Sequence, residues 1–236
     1  MVREMGEADF DWAADLMGRR RQQYAEYSPV FWRPAEGIEA AHAGFLRAIA
    51  ARPGAVALRT DGAFALSSSH EGRAFVDDFA VGTPDLWPTE GRELLLALWD
   101  AARSDEQRTL RVVSARKDDP KRSLLIALGL AVAARWWVKE LNATSEAASW
   151  GPVSLDGHDA LIMPAPPVYD PGGPVCLLGD IESERAGQAA LAAAGHGAVL
   201  AIVQREQATS AVPESDPTLE AAGFHNPSEF YEGEPA

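Results

Sequence analysis

The chain has 236 residues, 47% of them hydrophobic, enough to bury one large core or two small ones. Its single cysteine, Cys176, excludes an intramolecular disulfide framework, and no stretch has the length of a membrane span or the pattern of a signal peptide, so a cytoplasmic protein with no membrane partner is expected. With 21 Lys and Arg against 35 Asp and Glu the formal charge is −14, a field that repels a phosphate backbone, so no nucleic-acid partner is expected.

Val2-Arg3-Glu4-Met5 reads as a short strand, and Asp9 or Asp11 suits the cap of a helix that carries Trp12, Leu16 and Met17. Three consecutive arginines, Arg19, Arg20 and Arg21, cannot share one helix face; they read as a solvated turn, with phosphate contact as the alternative. From Tyr24 to Pro34, two prolines and four aromatics (Tyr24, Tyr27, Phe31, Trp32) predict a loop that packs on something. The spacing of Ile38, Ala41, Phe45, Leu46 and Ile49 predicts an amphipathic helix within residues 35–51, stopped by Arg52-Pro53-Gly54. Two strands around Thr60-Asp61-Gly62 follow as a hairpin.

The stretch from Gly72 to Leu141 organises the rest. Arg73 to Val81 is strand-like, Leu94, Leu95, Leu98 and Ala101 keep helical spacing, and Leu110-Arg111-Val112-Val113-Ser114 is a second strand. A strand, a crossover helix and a parallel strand make a right-handed unit, and the turn after its first strand points N–H groups at whatever sits by the helix start. The stretch from Pro120 to Leu130 and a strand from Arg135 to Leu141 complete the series.

In this order of elements the chain resembles the GNAT acyltransferase superfamily. Val76-Asp77-Asp78-Phe79-Ala80-Val81 looks like that family's fourth strand, Thr89-Glu90-Gly91-Arg92-Glu93-Leu94-Leu95 like its pyrophosphate loop entering the third helix, and Ala127-Leu128-Gly129-Leu130 like the end of its fourth helix. The resemblance implies an α/β fold, a mixed sheet with helices on both faces. Asp156-Gly157-His158-Asp159-Ala160-Leu161-Ile162-Met163 reads as a turn and a strand and resembles the last strand of such a domain, which would place a domain over residues 1–167.

Residues 168–236 carry only Arg185 and Arg205 against 11 acidic side chains, a net charge of −9, and look like a partial internal repeat. Val175 to Asp180 is strand-like, Gly187 to Ala194 helix-like and Ala198 to Gln204 a buried strand; Gly187 falls on Gly91, and Leu219 to Phe224 on Leu125 to Leu130. A half-repeat of this kind should extend or pack on the first domain's sheet, and its free edge could join two copies as a homodimer.

What the resemblance implies for chemistry is an acyl-coenzyme A-dependent N-acyltransferase, using acetyl-CoA or another acyl-CoA on a small amine. Asp78 would be base or amine anchor; Phe79, Val81, Gly91, Arg92, Arg116 and Lys121 would lie along the cofactor; Tyr24, Tyr27, Phe31 and Trp32 would line the acceptor pocket or plug the core. Asp77 and Asp78 alternate across a strand, so at most one faces the cleft. Against the family's Arg/Gln-x-x-Gly-x-Gly/Ala, Leu86-Trp87-Pro88-Thr89-Glu90-Gly91 matches only at Gly91, and the family's tyrosine four residues before the helix-ending glycine is Leu125 or Leu219. These departures motivate the alternative, a GNAT-like ligand-binding or protein-interaction module without catalysis. The five histidines, at 42, 70, 158, 196 and 225, show no metal-ligand spacing, and Cys176 sits in an apolar run as a small buried hydrophobe.

Overall fold

The computed structural model describes residues 1–145, 149–206 and 212–236, and of Glu39 and Ala40 the backbone only. The chain forms two units, each drawn from separate stretches. The first takes Met1–Gln23, Gly37–Val132 and Phe230–Ala236; the second takes Tyr24–Glu36 and Ala133–Glu229. The domain end anticipated near Pro167 thus lies inside the second unit.

In the first unit β1 (Arg3–Glu4) precedes α1 (Asp9–Tyr27), whose first turn carries Asp9 and Asp11 against the helix dipole. Helix α1 runs straight through Arg19 to Arg21, so the expected turn is helix, and Tyr24 and Tyr27 belong to its last turn rather than to a loop. Helix α2 (Ile38–Ala50) follows Gly37, whose φ of 68° needs glycine. Strands β2 (Val56–Arg59), β3 (Ala63–His70) and β4 (Arg73–Val81) form an antiparallel meander. The β3–β4 turn holds Glu71 and Gly72 at positive φ, 50° and 77°, the geometry that suits strand twist.

Helix α3 (Arg92–Ser104), β5 (Thr109–Ala115) and α4 (Asp119–Ala127) then follow, with β5 parallel to β4. The sheet order is β1-β2-β3-β4-β5, followed by the last residues of β11 (His225–Gly233). Helices cover both faces. Phe10, Ala13, Leu16 and Leu46 pack on Phe64, Leu66 and Ala80, whereas Leu94, Leu95, Leu98, Leu124 and Leu125 pack with Val76, Phe79 and Val112. Each fully buried Leu contributes roughly 1.5–3 kcal/mol relative to exposure.

The second unit repeats this plan more fully than the sequence suggests. The hairpin β7 (Gly151–Leu155) and β8 (His158–Met163) leads into β9 (Val175–Gly179), α5 (Ser183–Gly195), β10 (Leu200–Glu206) and α6 (Pro217–Ala221). Strand β8 pairs antiparallel with both β7 and β9, so it is the counterpart of β3 and not the last strand of the first unit. Strand β6 (Ala131–Glu140) pairs antiparallel with β10. The helices α4 and α6 end alike: Gly129 and Gly223 both adopt positive φ, 83° and 86°. Strand β6 leaves residues 131–132 in the first unit, and β11 gives 225–229 to the second and 230–233 to the first.

Candidate functional site

Strands β4 and β5 pair only from Arg73↔Thr109 to Val76↔Val112, although β4 continues to Val81 and β5 to Ala115. Past Val76 the two strands part, and among the described residues the β4 edge from 77 to 81 has no ladder partner on β5. A buried backbone edge must bond to something. At Phe79 the carbonyl accepts from Lys121 Nζ at 3.4 Å.

The same place carries a bulge. Leu66 faces Asp78 and Ser67 faces Val76, so Asp77 is an extra residue. Ala74, Val76, Phe79 and Val81 all bury in the core under α3 and α4, whereas Ala80 packs under α1 and α2. The alternation changes phase between Val76 and Phe79, which turns Asp77 and Asp78 to the same side. Strict alternation would have separated the two.

Asp78 is 6% exposed and its Oδ1 lies 3.3 Å from His42 Nε2 on α2. That nitrogen is also 2.6 Å from Arg21 Nη2 on α1. Asp77 reaches solvent as a residue, while its carboxyl group is enclosed by the surrounding protein. Loss of hydration and the charge of Asp78 push its pKa up to about 6, against the pull of Lys121 and Arg21. Neighbouring Arg20 is buried and ion-paired with buried Asp118, which also caps α4 by accepting from the Lys121 N–H at 3.4 Å. The arginines read from sequence as solvated are therefore core charges: Arg20 is 6% and Arg21 2% exposed, while Arg19 faces water. Buried charge of this density persists only where partners hold it.

The turn after β4 is not an open loop. Pro84–Leu86 is a 3₁₀ turn, Trp87–Gly91 a π turn, and α3 follows without a break; the N–H of Arg92 is directed at the carbonyls of Thr89 and Trp87. Trp87 is fully buried, edge-on to Phe79 at 4.8 Å, with the Arg20 guanidinium 5.2 Å and the Lys121 ammonium 5.6 Å from its ring. A Cβ on Gly91 would stand 2.9 Å from that indole, so Gly91 is small for the sake of Trp87. The carboxylate of Glu90 turns back to the β2–β3 hairpin, where it accepts from the Thr60 hydroxyl and, at 2.9 Å, from the Gly62 N–H.

In the second unit the equivalent strands stay together. Pairing of β9 with β10 continues through a bulge to Gly179↔Val203. Arg205 closes the end of the pair by donating to Asp180 at 3.1 Å and to the Ser183 hydroxyl at 2.9 Å. Gly187, aligned with Gly91, serves close helix approach, since its Cβ would stand 3.3 Å from that of Ala222.

Of the residues singled out from sequence, Asp78, Phe79, Val81, Gly91, Arg92, Arg116 and Lys121 all fall in the first unit. Phe79, Val81, Gly91 and Lys121 are buried there, Arg116 is half-buried, and Arg92 is half-buried with Nη2 3.5 Å from the Ala236 carbonyl. Tyr24, Tyr27, Phe31 and Trp32 fall in the second unit, where Trp32 packs on Tyr24 at 5.4 Å and on Tyr169 at 5.2 Å, and Phe31 on Trp136 at 6.2 Å. Leu125 and Leu219 are fully buried in apolar cores. Sequence reasoning missed Arg21, His42 and Asp77. The shift from even to odd apolar spacing between Val76 and Phe79 is the signal that could have found Asp77.

No protein-family model matches the sequence, and no curated protein matches it. Among the solved structures similar over 99% of this chain are the following three. One is a candidate acetyltransferase from Thermoplasma acidophilum, with TM-score 0.54, 8% identity and 99% of that chain covered. The second is a GCN5-related N-acetyltransferase from Sphaerobacter thermophilus, with TM-score 0.53, 13% identity and 95% covered. The third is a candidate acetyltransferase from Pyrococcus horikoshii, with TM-score 0.53, 12% identity and 89% covered. At such identities the likeness is one of fold.

Proposed function

We propose that this chain, which has the GNAT fold with a second GNAT-like unit, is an acyl-CoA-dependent N-acyltransferase acting on a small amine. The parting of β4 from β5 beside the Asp77-Asp78 bulge carries this reading. An open strand edge suits the amide-bearing arm of an acyl-coenzyme A, and residues 77–81 would hold it, with Lys121 yielding the Phe79 carbonyl. Bound there, the group supplies an activated acyl thioester.

The turn does not fit the diphosphate of such a cofactor. Pro88 has no N–H, the N–H of Arg92 is used inside the helix, and Glu90 places a carboxylate on that segment. No step of the reaction therefore rests on the diphosphate. Asp77, with a pKa of about 6, is mostly ionised at neutral pH and would take the proton that the amine loses as it attacks the thioester. Asp78, 3.3 Å from His42 Nε2, would hold the amine. Leu125 stands where a proton donor for the leaving thiolate is expected, so that proton would come from water.

The helical turn favours a second reading, a ligand-binding module without turnover. Titration of the whole chain with acetyl-CoA, paired with a transfer assay on a broad panel of amines, separates the two. Transfer that Asp77→Asn lowers by about 100-fold or more supports the enzyme. Binding without transfer to any amine leaves the module, and absence of both overturns the cofactor assignment.

A further inference from the structure

Arg21 is 2% exposed, yet among the described residues its Nε and Nη1 have no hydrogen-bond partner. Its Nη2 points at His42 Nε2 across 2.6 Å. A guanidinium only donates, so Nε2 accepts and the ring carries its hydrogen on Nδ1. That Nδ1 has no partner either, and His42 is fully buried. The three orphaned groups of this pair are thus all donors, and among the described residues no acceptor answers them. Leaving buried donors unmade costs about 1–3 kcal/mol each, and more for a charged group. Beyond them stand Asp78, 3.3 Å from His42 Nε2, and Asp77, whose titration registers the charge of Arg21.

We infer that the small molecule taken by this site is an α-amino acid or a close zwitterionic relative, its carboxylate on Arg21 and its amine toward Asp77 and Asp78. The inference rests on reading the paired aspartates as the amine end of the site. An amine without a carboxylate leaves the orphaned donors as they are; a carboxylate without an amine meets two aspartates with nothing to offer them. Only a ligand with both ends answers both.

The test is calorimetric titration of the full chain, without acyl donor, with each standard L-amino acid. For those that bind, the decarboxylated amine and the desamino acid of the same side chain are titrated next. The expected result is binding of at least one amino acid, with both truncated relatives weaker by about tenfold or more. Arg21→Met should abolish the preference for the amino acid over its amine, and Arg21→Lys should keep part of it. If Arg21→Met fails to fold, the matched ligand series alone decides. No binding of any amino acid up to about 10 mM, or equal binding of the amine, overturns the inference. Amino-acid binding without acyl transfer would sink the enzyme reading and leave this one standing; transfer to plain amines, with no gain from a carboxylate, would do the reverse.

Discussion

Val76 and Phe79 lie three residues apart on one strand and bury in the same core, where unbroken alternation would send them to opposite faces. The residue added between them puts two adjacent carboxyl groups on one side, and loss of hydration together with the charge of Asp78 makes Asp77 harder to ionise. Asp77 carries the cost, with its pKa at about 6.

Stability should therefore fall with pH across that range. Between the ordinary carboxylate range and about pH 6, the native state keeps the Asp77 proton that the unfolded chain has released, so the unfolded state binds fewer protons and stability drops as pH rises. Above that window both states are ionised and the penalty is constant. Asp77→Asn should melt higher than the parent at about pH 7.5, and the gap should close near pH 4. Thermal melts of both proteins at the two pH values check it; a gap that persists at low pH contradicts the assignment.

Glu90 acts as a clasp on the β2–β3 hairpin, not as part of an anion cradle. Glu90→Ala strips acceptors from the Thr60 hydroxyl and the Gly62 N–H and should cost about 1–3 kcal/mol in denaturant unfolding. Were the carboxylate merely a first-turn charge, the loss would stay within about 1 kcal/mol and fade with salt.

Two glycines that align in the repeat should differ on substitution. Gly91→Ala forces a methyl to 2.9 Å from a fully buried indole and should cost about 1–3 kcal/mol. Gly187→Ala meets only the methyl of Ala222, at 3.3 Å, and should cost less. Chemical denaturation of the two single variants compares them directly.

Asp118→Ala leaves the guanidinium of Arg20 buried without its carboxylate and removes the cap of α4. A loss of about 3–5 kcal/mol is expected. Replacing both Arg20 and Asp118 by apolar residues of similar volume should recover most of it.

A chain ending at Glu229 lacks Tyr231, which is fully buried and accepts from Arg122 Nε at 2.9 Å, and Glu232, which accepts from Arg111 at 2.6 Å. Amides of β5 should then exchange with solvent far faster than in the whole protein, measured by hydrogen exchange. Unchanged protection of β5 would show that residues 230–236 are dispensable to the first unit.

Local pattern made much of the fold legible. Ile38, Leu46 and Ile49 announced α2; Leu94, Leu95 and Leu98 announced α3; and the Asp-Gly pair at 61–62 announced its hairpin, because each signal lies within a few residues. The pairing of β8 with β9 was not legible, since His158–Met163 reads as a strand whichever neighbour it takes. Nor was the burial of Arg20 and Arg21, whose partners Asp118 and His42 lie 98 and 21 residues away. Charge says a side chain prefers water; only distant partners say when it forgoes it. In the candidate site, Asp78 and Lys121 could be named from sequence, but the departure of β4 from β5 depends on where pairing stops.

Because β11 returns its last residues to the unit that begins at Met1, the amino-terminal unit is completed by the segment that comes after every other element in the chain. Folding in step with synthesis favours whatever emerges first. Here that unit must wait, with one flank of β5 uncovered, while some hundred intervening residues emerge. A ribosome-bound nascent chain is therefore the state in which this protein is most exposed to wrong strand partners, and slow translation gives its first unit no advantage.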